Sequence, residues 1–275
     1  MTAPVLVTGA TGNTGSLVVR DLAAAGVPVR AASRRPPPGG IRFDWHDPKT
    51  HADALVGVER MYLVAPVGVA EPAPVVRPFL ERGVTGGLRR VVLLSSSATE
   101  PAEGGLGALH RLVCDTVPEC AVLRPSWFIS NFLGDHPVAA GLRAGTVVTA
   151  TGDGRVGFVD VADIASVAAH LLIQDDAPRG DYVLTGPQAL SYAEVCAVAS
   201  ELTGRQVRHV SVSAAERAAA VEKSGVPAEF AALLADMDVA ISAGSEDRVT
   251  DVVRRVTGRP ARSVADVLAA HLGRD

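Results

Sequence analysis

Lysine is nearly absent from this sequence, occurring only as Lys49 and Lys223. Chemistry that needs a lysine beside another reactive group is confined to those two positions. Cysteine is sparse as well. Cys114, Cys120 and Cys196 are odd in number and show no Cys-x-x-Cys spacing, which predicts buried apolar thiols in a reducing cytoplasm. No apolar run reaches the roughly 18 residues that a membrane helix needs. The first strand pattern begins at Pro4, so no basic segment and apolar stretch precede it; the expected location is the cytoplasm, with no membrane partner. The formal net charge is −4 and no long run of one sign occurs, so a nucleic-acid footprint is not expected. His46, His51, His136, His170, His209 and His271 show no metal-ligand spacing, and no metal site is expected.

Apolar residues make up 48% of the 275 positions, enough for a large core. That length suits one domain with a grafted lobe. The first half alternates short β-branched runs with helical patterns. Val5 to Val7, Val27 to Ser33, Met61 to Ala65, Arg90 to Leu94 and Ala121 to Arg124 read as strands, and Ser16 to Ala25 as a helix stopped by Gly26. Strands that are apolar throughout, alternating with helices, predict right-handed crossovers and a doubly wound parallel sheet covered on both faces. The later sequence is mainly helical. Ser191 with Glu194 and Ser213 with Glu216 fit capping boxes, and Gly204 and Gly225 fit helix stops. The expected organisation is an α/β Rossmann-type core over residues 1–130, completed by about 157–185. A smaller, mainly helical lobe over 131–156 and 186–275 would bind the substrate in a cleft against that core.

Between the first strand and first helix stands Val7-Thr8-Gly9-Ala10-Thr11-Gly12-Asn13-Thr14-Gly15. Glycines at i, i+3 and i+6 have separate tasks. Gly9 permits the tight turn, Gly12 lets backbone approach a pyrophosphate, and Gly15 lets helix pack on sheet. The helix N-terminus then meets the anion. About twenty residues on, where an NAD site carries a carboxylate, the chain has Ser33-Arg34-Arg35. A carboxylate would repel a 2′-phosphate, whereas arginine pairs with it through two bonds. The expected cofactor is therefore NADP(H).

Several further segments carry a family resemblance. Thr8-Gly9-Ala10-Thr11-Gly12-x-x-Gly15 resembles the NmrA-like branch of the atypical short-chain dehydrogenases/reductases. So do Val29 to Arg34, Arg42 to Trp45, Tyr62 to Pro66, Val92 to Ser97, Leu123 to Phe128 with Asn131-Phe132, Asp181 to Pro187 and Thr257 to Pro260. Within that branch the chain is most similar to bacterial relatives of the festuclavine/agroclavine dehydrogenases, and it is also similar to NAD(P)H:quinone and triphenylmethane reductases. The resemblance implies that Gly9, Thr11, Gly12, Asn13, Thr14 and Gly15 hold the pyrophosphate, and Ser33 and Arg34 the 2′-phosphate. Asp44 and Trp45 would lie near the adenine. Ala65, Pro66 and Val67 would pass under the ribose and nicotinamide, and Ser95, Ser96 and Pro125 would frame the nicotinamide. Trp127, Phe128 and Asn131 would line the substrate pocket.

The chain departs from the wider superfamily at one point. Tyr62, Tyr182 and Tyr192 have no lysine four residues on, so the Tyr-x-x-x-Lys acid is missing. Ketone reduction builds an alkoxide that needs such a donor. An iminium carbon is already cationic, and a quinone or cationic dye spreads the incoming electrons. Both suit a site that only positions the nicotinamide against its acceptor. No catalytic residue is assigned. Ser97 and His110 are candidate donors, each with a simpler reading: strand-end or cofactor hydrogen bonding for the serine, a helix-surface position for the histidine. The expected activity is NADPH-dependent reduction of a C=N bond or a conjugated acceptor by a monomer or homodimer, on a small aromatic or heterocyclic substrate. A non-catalytic NADP(H)-sensing regulator, or a cyclase or isomerase on the same fold, stays open as an alternative.

Overall fold

A computed structural model of the chain describes residues 3–176 and 180–272. The outermost residues of the expected core and lobe, 1–2 and 273–275, and residues 177–179 inside the expected core lie outside the described residues. The strands in chain order are β1 (Val5–Thr8), β2 (Val29–Ser33), β3 (Ile41–Arg42), β4 (Arg60–Val64), β5 (Arg90–Leu94), β6 (Glu119–Pro125), β7 (Thr146–Thr149), β8 (Arg155–Val156), β9 (Gly180–Leu184), β10 (Leu190–Ser191) and β11 (Arg208–Ser211). The helices are α1 (Gly15–Ala24), α2 (His51–Leu55), α3 (Pro72–Thr85), α4 (Gly105–Thr116), α5 (Pro137–Arg143), α6 (Val161–Ile173), α7 (Tyr192–Thr203), α8 (Ala214–Lys223), α9 (Ala228–Ser242), α10 (Val252–Thr257) and α11 (Val264–Leu272). The chain divides into two compact units. One comprises Met1–Pro125, Val161–Leu184 and Val252–Arg259; the other comprises Ser126–Asp160, Thr185–Asp251 and Pro260–Asp275.

The first unit holds a seven-stranded sheet in the order β3-β2-β1-β4-β5-β6-β9. Every pair is parallel, with Val5 opposite both Val29 and Arg60. The order reverses at β1, which makes the β1–β4 neighbourhood the switch point where doubly wound sheets bind ligands. The strands read as apolar runs because both faces are covered: β1 is buried at all four positions, and Cys120 to Leu123 of β6 are all buried. Helix α1 buries Val18 and Leu22 and ends before Gly26, whose φ of 71° suits the left-handed stop. A core built on Leu6, Met61, Leu63, Phe79, Val91, Leu93 and Val122 fills this unit. Helix α10 packs on α6, which is why Val252–Arg259 belongs here rather than with the residues on either side.

The second unit has its own core. Phe132, Phe158 and Tyr192 meet with ring centroids 5.2 to 5.6 Å apart. Both capping boxes form: Ser191 caps α7 with Glu194, and Ser213 caps α8 with Glu216. Gly204 closes α7 at φ 66°. Helices dominate, but two small sheets join them, β7 with β11 in parallel and β8 with β10 antiparallel.

The expectation of three free thiols is corrected. Cys114, in the last turn of α4, and Cys120, at the start of β6, are joined by a disulfide with Cα atoms 5.1 Å apart. The short turn from α4 to β6 brings them together, a closure that spacing alone does not encode. Cys196 is free and buried, and burial pushes its thiol up to about 11.

Candidate functional site

The residues expected to hold a cofactor share one edge of the seven-stranded sheet. Gly9 to Gly15 follow β1, Arg34 follows Ser33 at the end of β2, and Asp44 and Trp45 follow β3. Ala65 to Val67 follow β4, Ser95 to Ser97 follow β5, and Pro125 ends β6. Six successive carboxyl ends thus present their loops on the same side, where a parallel sheet places its ligand.

The glycine loop is shaped by its own backbone. Gly9 has φ 63°, a left-handed turn that favours glycine. The Gly12 N–H donates to the Gly9 carbonyl at 2.9 Å. A Cβ on Gly15 would lie 2.2 Å from that carbonyl oxygen, so α1 can start there only without a side chain. A Cβ on Gly12 would meet only that oxygen, at 3.3 Å. The loop is also tied to β4. The Thr8 hydroxyl accepts from the Val64 N–H at 2.8 Å and donates to the Tyr62 carbonyl at 3.2 Å, while the Tyr62 phenol donates to Thr14 Oγ1 at 3.0 Å. No side chain caps α1 and no acidic residue stands in its first turn, which leaves its N-terminus to an anion.

Two buried hydroxyls stand along these strand ends, one closing β2 and one just after β5. Among the described residues Ser33 Oγ and Ser95 Oγ have no hydrogen-bond partner. An unmet buried polar group costs about 1–3 kcal/mol, and both serines occupy positions expected to meet a cofactor. Arg34 is exposed, with no ion pair to another side chain among the described residues. Val67 is 90% exposed, an apolar side chain left uncovered on the loop after β4. Trp45 is half-buried, its ring against Phe43 and Phe79 at 4.8 and 5.3 Å. The Asp44 carboxylate accepts from the His46 N–H at 3.0 Å. A glycine cradle, an unpaired guanidinium and two orphan hydroxyls fit a phosphate-bearing dinucleotide.

One of the two candidate proton donors is placed differently from expectation. His110 is not on the helix surface: it is 5% exposed, with Nε2 3.1 Å from the Asp181 carboxylate. The apolar spacing of α4 turns positions 109, 110, 112 and 113 inward together, and a histidine is buried there because Asp181 of β9 receives it. Ser97 is buried, and its N–H donates to the Pro125 carbonyl at 2.9 Å. The phenols are poor acids. Burial raises the Tyr62 pKa against the opposing bond to Thr14; burial also raises Tyr192, and raises Tyr182 against nearby Arg255. Lys49 and Lys223 are exposed. Among the described residues no group of three metal-ligating side chains comes together, and no helix is long and apolar enough to cross a membrane.

Trp127, Phe128 and Asn131 belong to the second unit, where all three are half-buried. The Trp127 carbonyl accepts from the Val159 N–H at 2.9 Å, and the Asn131 N–H donates to the Phe128 carbonyl at 3.1 Å. Sequence reasoning gave no role to Arg124, which is buried in β6 with carboxylates on either side of it. A charge inside an apolar parallel strand is the signal that could have found it, since buried arginines are paired. It also missed the buried pair in which Ser126 Oγ donates to Glu246 at 2.9 Å.

No protein-family model matches the chain. Comparison with individual proteins is informative. The chain is 42% identical to an uncharacterised oxidoreductase, YesF, of Bacillus subtilis, over 98% of this chain and 95% of the relative. It is 34% identical to agroclavine dehydrogenase of Claviceps fusiformis, over 96% of each. Among solved structures it resembles an NADPH-dependent quinone oxidoreductase of Escherichia coli complexed with NADPH, with a TM-score of 0.83 and 27% identity over 97% of this chain and 99% of that one.

Proposed function

We infer the reaction from family and site together: the chain belongs to the family of the agroclavine dehydrogenases and festuclavine synthases, and it is an oxidoreductase that uses NADP(H). We assign to it the transfer of hydride to a carbon–nitrogen double bond or to a conjugated acceptor such as a quinone, with no protein side chain acting as acid. The observation that carries this reading is the state of the donors. The Tyr62 phenol is spent on Thr14, His110 is buried in the first unit with its Nε2 held by Asp181, and neither lysine stands four residues after a tyrosine.

When bound, NADPH would supply a hydride, which an iminium carbon would accept as the C=N pair settles on nitrogen, or which a quinone would take up and spread until water protonates it. The chain's part is to bind and orient. The cradle from Gly9 to Gly15, with Thr11, Asn13 and Thr14, holds the pyrophosphate against the start of α1. Ser33 and Arg34 take the 2′-phosphate through a hydroxyl and a charge-assisted fork. Asp44 and Trp45 would lie near the adenine. Ala65, Pro66 and Val67 would give an apolar floor, and Ser95, Ser96 and Pro125 would seat the nicotinamide. Trp127, Phe128 and Asn131 of the second unit are assigned to the acceptor. Positioning without a protein acid suffices when the acceptor stabilises its own product.

The test is consumption of NADPH with a panel of acceptors. Cyclic iminium ions and quinones are expected to be reduced, and simple ketones not. Ketone reduction at a comparable kcat/KM, or no turnover with any acceptor despite tight NADPH binding, would overturn the assignment.

A further inference from the structure

Arg124 carries a charge into the interior of the parallel sheet. Its side chain is 6% exposed, directly after the apolar run from Cys120 to Leu123. One N–H group donates to Asp181 at 3.1 Å, another donates to the Ser97 carbonyl at 3.3 Å, and Nε lies 3.5 Å from the Ser96 carbonyl. The guanidinium also pairs with Glu100. Asp181 in turn receives Nε2 of His110. Burial alone would disfavour the charge, but Glu100 and Asp181 outweigh it and raise the Arg124 pKa above the ordinary value.

The arrangement acts on the backbone after β5. The Ser95 N–H donates to the Leu123 carbonyl at 2.8 Å and the Ser97 N–H to the Pro125 carbonyl at 2.9 Å. The ladder therefore holds the N–H side of residues 95–97, and Arg124, lying between Leu123 and Pro125, holds the carbonyl side. A planar fork with donors in several directions can reach two successive carbonyls and two carboxylates; a lysine ammonium, a point charge on a flexible stem, cannot.

We propose that Arg124 is a positioning residue for the nicotinamide end of the cofactor, fixing Ser95–Ser97 so that the unpartnered Ser95 hydroxyl is kept for that half of the molecule. This rests on the reading that Ser95, Ser96 and Pro125 frame the nicotinamide. The adenosine half is held by other strand ends and does not depend on Arg124. A guanidinium needed only for stability would weaken both halves together.

The experiment compares two ligands by calorimetry: NADPH, and adenosine 2′,5′-bisphosphate, which carries the 2′-phosphate but no nicotinamide. Two variants are used. Arg124→Lys keeps the charge and loses the fork. Glu100→Gln removes one arm at a side chain 73% exposed, where folding is safe. The Kd for NADPH is expected to rise about tenfold in Arg124→Lys and roughly threefold in Glu100→Gln, the scale of one charged hydrogen bond and of one weakened arm. The Kd for the bisphosphate is expected to stay within about twofold in both. With a reducible acceptor, kcat should fall by more than KM rises. Equal weakening of both ligands, or no change in their ratio, overturns the proposal; if Arg124→Lys does not fold, the ratio in Glu100→Gln decides alone. The ligand ratio is read without turnover. A wild-type protein that binds NADPH but reduces nothing would therefore sink the reductase assignment and leave this test intact.

Discussion

Gly12 and Gly15 are expected to fail in opposite ways when each is replaced by alanine. At Gly15 the added Cβ would stand 2.2 Å from the Gly9 carbonyl oxygen and 2.8 Å from its carbon. Relief needs a shift of about 1 Å in backbone at the heart of the loop, an overpacking cost of about 1–3 kcal/mol. That corresponds to a fall of roughly 2–5 °C in the apparent melting temperature of the free protein. At Gly12 the Cβ meets only that oxygen, at 3.3 Å, and the backbone is not left-handed. The free protein should barely notice, because a small displacement is offset by the lower entropy of the unfolded chain. NADPH should notice strongly, since the middle glycine is where backbone approaches pyrophosphate. A Kd raised about thirtyfold, close to 2 kcal/mol, is expected. Thermal melting without ligand and fluorescence titration with NADPH separate the two. If Gly12→Ala binds NADPH as the wild type does, or loses as much stability as Gly15→Ala, the loop is a structural turn and the reasoning is wrong.

Replacing Arg34 with alanine should raise the Kd for NADPH roughly tenfold to a hundredfold and leave that for NADH unchanged, as expected for loss of a charge-assisted bond to the 2′-phosphate; parallel loss with both cofactors would deny the residue that role. Tyr62→Phe removes the bond to Thr14 and should lower stability by about 1 kcal/mol while weakening NADPH binding a few-fold, measured by denaturant midpoint and titration. The backbone N–H of Ser191, followed by Arg155 and the Ser191 hydroxyl, holds the Glu194 carboxyl below its usual pKa against slight desolvation. Its contribution is therefore present above the ordinary carboxylate range and lost as pH falls through the lowered value. Glu194→Gln should flatten that acid limb in denaturation profiles. Ser213→Ala should cost about 1 kcal/mol through loss of the α8 cap, read from the same profiles.

The parts legible in the sequence are those whose cause is local. The glycine triplet announced the loop because its spacing answers to a turn, a close approach and a helix start within seven residues. The two capping boxes were readable for the same reason, since Ser191 and Ser213 find their partners three residues on. What stayed hidden depends on distant chain. Thr146–Thr149 pairs with Arg208–Ser211, and although the first segment is β-branched throughout, nothing local names its distant partner. His110 looked like a surface residue because its partner, Asp181, is 71 positions away in the sequence. Arg124 was visible as a letter in a family motif, but its task emerged only when Glu100, Asp181 and the two serine carbonyls were found around it. The pairing of Cys114 with Cys120 belongs with these, because it depends on how α4 turns into β6.

The central claim is that this enzyme reduces its acceptor without a protein acid. The most direct test is kcat against pH with a quinone acceptor, whose reduced form must gain a proton, at saturating NADPH. If no side chain donates that proton, kcat should be flat from about pH 6 to 9, because water supplies it. A limb of unit slope within that range, shifted or abolished in His110→Asn, would contradict the account.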